Sequence, residues 1–227
     1  MDIKNLILII VAVSIFSLGI VLILKNRRSP INLSFSLFFY GASLWSLGLA
    51  MFNETLNMEA AASWARIYYF ASVIIVVAFL FFANYYIYTL YELNIVRVFY
   101  IFLPFLIITF VIFHPSILIE SVTHFEWGND ANEKFLGHIL FSIYFFIYVI
   151  WAYKILFYKF KNAEGINRKN LKLVIVSTMF SYIFGITFDL ILPIIGIYRY
   201  IWLGPYFTVI TLVFLTYLLF YKPSKNI

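Results

Sequence analysis

Residues 71–80 of the chain read ASVIIVVAFL, ten positions with one hydroxyl group and no charge. A strand of a transmembrane β-barrel alternates polar and apolar residues, so a continuously apolar run of this kind indicates a helix. Inside hydrocarbon a helix satisfies its own backbone hydrogen bonds, which an isolated strand cannot do. The stretch therefore predicts an all-α membrane protein.

Apolar stretches of this type account for most of the 227 residues. The chain is 64% hydrophobic and 11% charged, with a mean hydropathy of +0.98, values far outside the range of soluble domains. A hydrocarbon core of about 30 Å needs about 20 residues of helix. We therefore predict a single domain over residues 1–227, a bundle of seven transmembrane helices at Asn5–Leu24, Ser34–Phe52, Ala62–Tyr88, Val98–Phe113, Phe135–Tyr158, Leu173–Leu192 and Ile201–Tyr221.

The basic residues of the loops predict the orientation of this bundle, because lysine and arginine resist translocation across the membrane. One set of alternate loops carries twelve of them, and the other set carries four, namely Lys4, Arg66, Lys134 and Arg199. We predict that the amino terminus is outside and the carboxyl terminus is cytoplasmic. This asymmetry also explains the net charge of +6, so we expect anionic lipid headgroups and no nucleic acid as partners.

The residue types that carry most enzyme chemistry are scarce. The chain has no cysteine, and its three histidines show no metal-ligand spacing with an acidic residue. No glycine-rich phosphate loop and no serine nucleophile elbow is present in the sequence. The last predicted span lacks the lysine that a retinal Schiff base requires. We expect neither catalysis nor a metal or cofactor.

Charged residues inside or at the edge of the spans indicate a functional site, because hydrocarbon penalises them unless they are paired or face a cavity. Asp189 and Arg66 both fall near the outer ends of their spans, where a charge pair between them is geometrically possible. Such a pair would serve helix packing or ligand binding equally well, and Arg66 alone would ordinarily snorkel to the interface. Our candidate ligand-binding residues are Trp64, Arg66, Tyr68, Asp189, Arg199 and Trp202.

Three further features have a plain structural interpretation and a functional one. The connection at residues 114–134 reads as a solvated loop, although its apolar Ile117–Ile119 segment would also suit a lid on the bundle. Tyr144 and Tyr148 share a helix face with Trp151, a face that suits core or lipid packing and, as the alternative, an internal pocket. Gly204 in the first turn of the last span allows a helix or a ligand to come close.

The order of several motifs resembles the seven-transmembrane sensor region at the amino terminus of bacterial histidine kinases and some diguanylate cyclases. The resemblance covers nearly the whole chain and rests on Asn32, Phe35, Trp45–Gly48, Trp64–Tyr69, Phe82, Tyr85, Arg168–Lys172, Gly185, Leu192-Pro193 and Gly204-Pro205. Members usually carry a proline in the outer half of the third helix, where this chain has Ile74–Val76. Members also continue into a kinase or cyclase, whereas this sequence ends six residues after Tyr221 with Pro223 in between.

The resemblance implies a receptor of a two-component system in the bacterial inner membrane, with no effector domain of its own in this sequence. We predict that it binds a small or lipophilic ligand in the outer half of the bundle and signals to a cytoplasmic protein. The chain would be a sensor fragment, a degenerate stand-alone copy or a receptor that signals through a separate protein, and a homodimer is an open alternative to a monomer. A small transporter or channel is the main alternative, and a membrane assembly subunit is the third. A transporter predicts a polar path at mid-depth, and an assembly subunit predicts a filled interior.

Overall fold

The structure, a computed structural model, describes residues 2–218 and is a bundle of helices with one β-hairpin. The residues around Tyr221 and Pro223 that entered the predictions lie outside the described range. In chain order the elements are α1 (Ile3–Lys25), α2 (Pro30–Glu54), α3 (Met58–Tyr85), α4 (Ile95–Phe113), β1 (Ile119–Phe125), β2 (Gly128–Glu133), α5 (Phe135–Asn162), α6 (Gly165–Ile186), a π-helical turn (Thr187–Ile191), α7 (Leu192–Ile194), a 3₁₀ turn (Ile201–Leu203) and α8 (Gly204–Thr216).

The predicted all-α membrane architecture is confirmed. Six helical segments of the described chain are long and apolar enough to cross a membrane, and the sixth runs without a break over Gly165–Ile194. The described part of the last helix is shorter. Predicted and observed boundaries agree within a few residues except at α6, which begins eight residues before the predicted Leu173, because its first two turns are polar.

Capping residues explain where three helices begin. Ser29 precedes Pro30 and accepts a hydrogen bond from the Asn32 amide at 3.3 Å. Asn57 accepts from two amides at the start of α3, each at 3.0 Å, and Asn94 accepts from the Arg97 amide at 2.9 Å. These side chains satisfy amides that the first helical turn leaves without partners.

The two ends of the bundle differ in chemistry, and we name them by their contents. The hairpin end holds the amino terminus, β1 and β2, the π-helical turn and the start of α8. The basic end holds the connections 26–29, 86–94 and 163–164. Helices α2 and α3 form the centre and are buried on most faces, whereas α1 and α4 lie at the periphery and expose a broad apolar surface.

The connection at residues 114–134 is not the solvated loop that we favoured. Its strands β1 and β2 pair in antiparallel register from Phe125 opposite Gly128 to Ile119 opposite Glu133. Every second or third side chain points to the bundle, and Ile119, Val122 and Ala131 are buried. The alternation of apolar and polar residues in these strands is short and weak in a sequence dominated by long apolar runs, so the hairpin was not predicted.

The hairpin is fixed to the bundle at both ends. Asn129 is buried and donates to the carbonyl oxygens of Phe52, in the last turn of α2, and of Thr55, directly after it, at 2.5 and 2.8 Å. At the other end the backbone of Ile117 and Leu118 lies directly on Gly137 of α5, with no room there for a Cβ atom. The apolar Ile117–Ile119 segment thus packs on the bundle, as the lid alternative required.

Candidate functional site

An internal cavity of about 40 Å³ lies in the hairpin half of the bundle, between α2, α3, α5, α6 and α8. One water molecule needs about 10–15 Å³ of cavity volume. This cavity therefore holds roughly three waters or a group of about three to four heavy atoms. Its walls consist mainly of aromatic rings, and its carboxyl and hydroxyl groups come from α3, α6, the π-helical turn and α8. The lining residues are Phe38, Trp45, Tyr68, Tyr69, Ser72, Ile75, Phe141, Phe145, Ser181, Tyr182, Gly185, Ile186, Asp189, Leu190 and Thr208.

Asp189 is the one acidic residue in this lining, and it sits in the π-helical turn. Both of its carboxyl oxygens are shielded from solvent and have no hydrogen-bond partner among the described residues. The carboxyl group lies against the backbone of Gly204, where any side chain would collide with it. Single π-helical turns inside α-helices are frequent at functional sites, and here the turn places a carboxyl group inside the bundle.

Two tyrosine hydroxyls of the lining also have no hydrogen-bond partner among the described residues. Tyr68 and Tyr182 are 3% and 8% exposed, and neither hydroxyl oxygen has a partner among the described residues. Nearby, the hydroxyls of Ser181 and Thr208 lie 3.0 Å apart and bond to each other. Buried polar groups are nearly always paired, so three unpaired groups that line one cavity distinguish it from the rest of the described interior.

Closely packed aromatic rings separate the cavity from the basic end. The ring of Phe79 lies 5.1 Å from that of Tyr182 and 5.4 Å from that of Tyr153. The Phe82 ring lies 5.3 Å from Phe35 and 5.1 Å from Tyr86, centroid to centroid. These contacts fill the interior of the basic half, so among the described residues the cavity is closed toward the basic end and does not continue as a path through the bundle.

A second polar cluster joins the hairpin to α3 and α5. Glu133 of β2 accepts a hydrogen bond from the Tyr69 hydroxyl and bonds Nδ1 of His138 through its other oxygen. Burial, and next to it the negative charge of Glu133, raises the pKa of Asp130 to about 6. Burial also raises the pKa of Tyr198, and the negative charges of Glu133 and Asp130 raise it further. A cavity of about 240 Å³ between this cluster and α7 includes Glu133, His138 and Tyr198 in its lining.

The structure brings two of the six predicted ligand-binding residues, Tyr68 and Asp189, to the cavity. Arg66 does not pair with Asp189, because its guanidinium group donates to the backbone oxygen of Pro115 at 3.3 Å. Trp64 packs half-buried against the core, and Arg199 is exposed. None of these three residues belongs to the cavity lining, and the charge pair considered from the sequence is absent from the described structure.

The sixth predicted residue, Trp202, lies at the rim of the hairpin end. Its ring is 5.8 Å from the Lys4 ammonium nitrogen and stands perpendicular to the ring of Tyr206 at 5.7 Å. This contact joins the start of α1 to the start of α8, so Trp202 sits between two helix ends and outside the cavity.

Sequence reasoning missed Trp45, Ser181, Tyr182 and Thr208 as cavity residues. Tyr182 precedes Asp189 by seven positions, which places both side chains on one face of a helix, and that spacing would have found it. Thr208 lies four residues after Gly204, a glycine that the sequence did single out. Trp45 appeared only as part of a family motif, and no signal in the sequence relates it to Asp189.

The assembled site can accept hydrogen bonds at a carboxyl group and hold an apolar body between aromatic walls. It offers one acidic group and hydroxyls, with no histidine and no lysine in the lining. Within residues 2–218, no three histidine, cysteine or acidic side chains gather into a possible metal site. The lining thus combines hydrogen-bonding oxygens with a largely apolar wall.

These features define an integral membrane protein with a small polar site enclosed at one end of its helix bundle. The chain belongs to the family described as the N-terminal 7TM region of histidine kinase, whose model matches residues 6–226. The family predicted from the motifs is thereby confirmed, and it places the chain among membrane sensor regions. No curated protein and no solved structure matches the chain.

Proposed function

We propose that this protein is a signal receptor that binds a small ligand in the cavity around Asp189 and relays its presence along α8. The observation that carries the proposal is the set of unpaired buried groups: the Asp189 carboxyl and the hydroxyls of Tyr68 and Tyr182. Ionisable residues inside a membrane are costly to bury and generally serve a function. A sensor region is also the part of a histidine kinase where ligand recognition belongs.

A ligand that donates hydrogen bonds fits this lining, because carboxyl oxygens accept them and the tyrosine hydroxyls can both donate and accept. The surrounding rings of Trp45, Tyr69 and Phe145 favour a compact apolar body, and they would also attract a cationic group. An amine or a hydroxyl group on a small lipophilic molecule meets both requirements. At about 40 Å³ the cavity accepts the polar end of such a molecule, and a larger body would have to open the bundle.

The relay follows from the elements that meet at the cavity. Asp189 lies on the π-helical turn against Gly204, and Thr208 contacts Ser181 one turn further along α8. One turn below, the Thr211 hydroxyl donates to the backbone oxygen of Ser177 at 3.1 Å. A ligand that binds better to one arrangement of α6 and α8 shifts the population toward it. With the amino terminus outside, that shift reaches the cytoplasmic side, where a signalling protein or domain would receive it.

Transport is less well supported by this geometry. A carrier or channel needs polar groups at mid-depth and access from both sides. The rings of Phe79, Phe82 and Tyr86 instead fill the region between the cavity and the basic end. A receptor pocket requires one accessible side only.

The decisive experiment is to purify the chain with its native lipids in nanodiscs and to look for a bound molecule by structure determination and mass spectrometry. We expect density that touches Asp189 between the rings of Tyr68 and Tyr182, and a mass that is lost from Asp189→Leu. Glu120→Gln is the matched control, because Glu120 is an exposed acidic residue of the same end and pairs only with Lys134.

Two further variants classify the ligand. Asp189→Asn keeps an acceptor without a charge, so it retains a neutral hydroxyl ligand and loses a cationic amine. Gly204→Ala adds a methyl group where the carboxyl lies, and we expect it to displace the ligand in either case. Wild-type protein that holds only water in the cavity, with the same bound masses as Asp189→Leu, would refute the proposal.

A further inference from the structure

A long crevice separates α4 from α5 on the side of the bundle away from α1. It consists of three adjoining cavities of about 250, 290 and 580 Å³, and Trp151 lines all three. Along α5 the crevice extends from Leu140 to Tyr158, a separation of eighteen residues or about 27 Å of helix. That length exceeds half of a hydrocarbon core of about 30 Å, so the crevice can hold a whole acyl chain.

The middle of the crevice is apolar and faces the membrane. Pro104 and Ile107 line it from α4, and Ile143 and Ile147 line it from α5. Ile107, Ile143 and Ile147 are each more than half exposed. Helices α4 and α5 are joined at its floor by a hydrogen bond from the Tyr148 hydroxyl to the Ile101 oxygen. The walls therefore suit a hydrocarbon chain.

The end of the crevice at the basic end of the bundle carries two cations. Arg97 lines the cavity of about 290 Å³, and Lys154 lines the adjoining one of about 580 Å³. Neither forms an ion pair with a described residue. Arg97 donates to the backbone oxygen of Glu92 at 2.5 Å and lies 5.2 Å from the Tyr91 ring centre. The one acidic side chain nearby, that of Glu92, is exposed.

We propose that this crevice is a binding site for an anionic phospholipid. Its phosphate lies between Arg97 and Lys154, and one acyl chain follows the groove past Trp151 toward Pro104. Basic pockets between transmembrane helices bind anionic headgroups, and the apolar groove supplies the second half of the recognition. Charge and shape thus point to the same occupant. The site shares no lining residue with the Asp189 cavity, so it stands independently of the proposed ligand.

The test uses the whole chain in nanodiscs that contain phosphatidylglycerol and phosphatidylcholine in equal amounts, followed by mass spectrometry of the retained lipid. We expect the wild type to retain phosphatidylglycerol preferentially. Each basic residue near a membrane surface contributes about fivefold in affinity, so Arg97→Gln/Lys154→Gln lowers the preference by roughly tenfold to thirtyfold. Lys161→Gln/Lys169→Gln is the matched control, because both residues are exposed at the same end and neither lines the crevice.

A second pair of variants separates a groove from a merely charged surface. Ile147→Trp fills the crevice and leaves both cations in place, and we expect it to lower the retention of both lipids. Ile183→Trp, at an equally exposed position on α6, should retain them. An unchanged lipid ratio in Arg97→Gln/Lys154→Gln, or an equal loss in Lys161→Gln/Lys169→Gln, would overturn the proposal. So would full retention by Ile147→Trp.

Discussion

Each end of the bundle contains a buried ionisable group, and the two groups differ in their hydrogen-bond partners. At the basic end, Lys159 is fully buried, and its ammonium nitrogen lies 2.5–2.9 Å from the backbone oxygens of Ala83, Asn84, Tyr86 and Tyr88. The ring of Tyr88 adds a cation–π contact at 4.8 Å. At the hairpin end, the oxygens of Asp189 have no partner among the described residues.

This contrast distinguishes a buried group with a structural role from one with a proposed role in binding. A buried charge that is fully satisfied locks the elements around it, and removing it is costly. A buried polar group without a partner lowers stability and persists where something outside the fold uses it. We therefore infer a structural role for Lys159 and propose the ligand-binding role for Asp189, although both are ionisable groups buried in an apolar bundle.

The largest expected effect is that of Lys159→Met. The carbonyl oxygens of Ala83, Tyr86 and Tyr88 would lose this donor, whereas that of Asn84 would keep the Leu90 amide at 3.1 Å. We expect a loss of about 3–5 kcal/mol in the free energy of unfolding. The measurement is reversible unfolding followed by circular dichroism in mixed micelles. Lys161→Met, an exposed change two residues further along α5, is the control and should stay within about 0.5 kcal/mol of the wild type. Equal stability of the two variants would remove the contrast between the ends.

The next effect concerns the seat of the hairpin. Gly137→Ala places a methyl group against the backbone of Ile117 and Leu118, so the hairpin must move, at a cost of about 1–3 kcal/mol. We expect faster protease cleavage within residues 114–134 while the bundle stays folded. Gly185→Ala is the control, since a Cβ there meets no atom within 4 Å. A hairpin that is cleaved at the wild-type rate in Gly137→Ala would show that it does not rest on α5.

A smaller effect of opposite sign is expected at the unpaired carboxyl. Asp189→Leu replaces a buried group without a partner by an apolar one, which we expect to stabilise the fold by about 1–2 kcal/mol and to abolish the ligand response. The measurement is the melting temperature in nanodiscs that are free of native lipid. A lower melting temperature than that of the wild type would mean that the folded protein already satisfies this carboxyl group.

The smallest effect is a pH dependence of the hairpin. The pKa of Asp130 is raised by burial from 3.8 to about 6, so the fold favours the protonated form. Its contribution to stability is therefore complete below about pH 4 and is lost as the pH rises through about 6. We expect the melting temperature of the wild type to fall over this interval more than that of Asp130→Asn. Glu126→Gln, in the exposed turn, should follow the wild type, and parallel curves for all three would contradict the assignment.

The sequence predicted the bundle well and the site only in part, for physical reasons. Long apolar runs such as residues 71–80 dominate membrane folding, and their helices follow directly from them. The position of Asp189 inside a span was equally legible. The sequence did not show that Asp189 lacks a partner. The Arg66 side chain is long enough to reach several acceptors, and the segment before β1 places the Pro115 oxygen within its reach. The sequence pattern of the hairpin is weak, so neither the hairpin nor the position of the Pro115 oxygen before it could be predicted.

The carbonyl oxygens around Lys159 also couple the docking of α5 to the backbone bend that follows α3. Two of these oxygens flank Ile87, whose φ of +68° is rarely adopted by a β-branched residue, so this backbone bend needs the ammonium group to hold it. The ammonium in turn cannot enter the apolar interior until those oxygens are in place. The docking of α5 and the bend after α3 therefore form in one step, because each requires the other, and a chain without the bend leaves the Lys159 ammonium group without its acceptors.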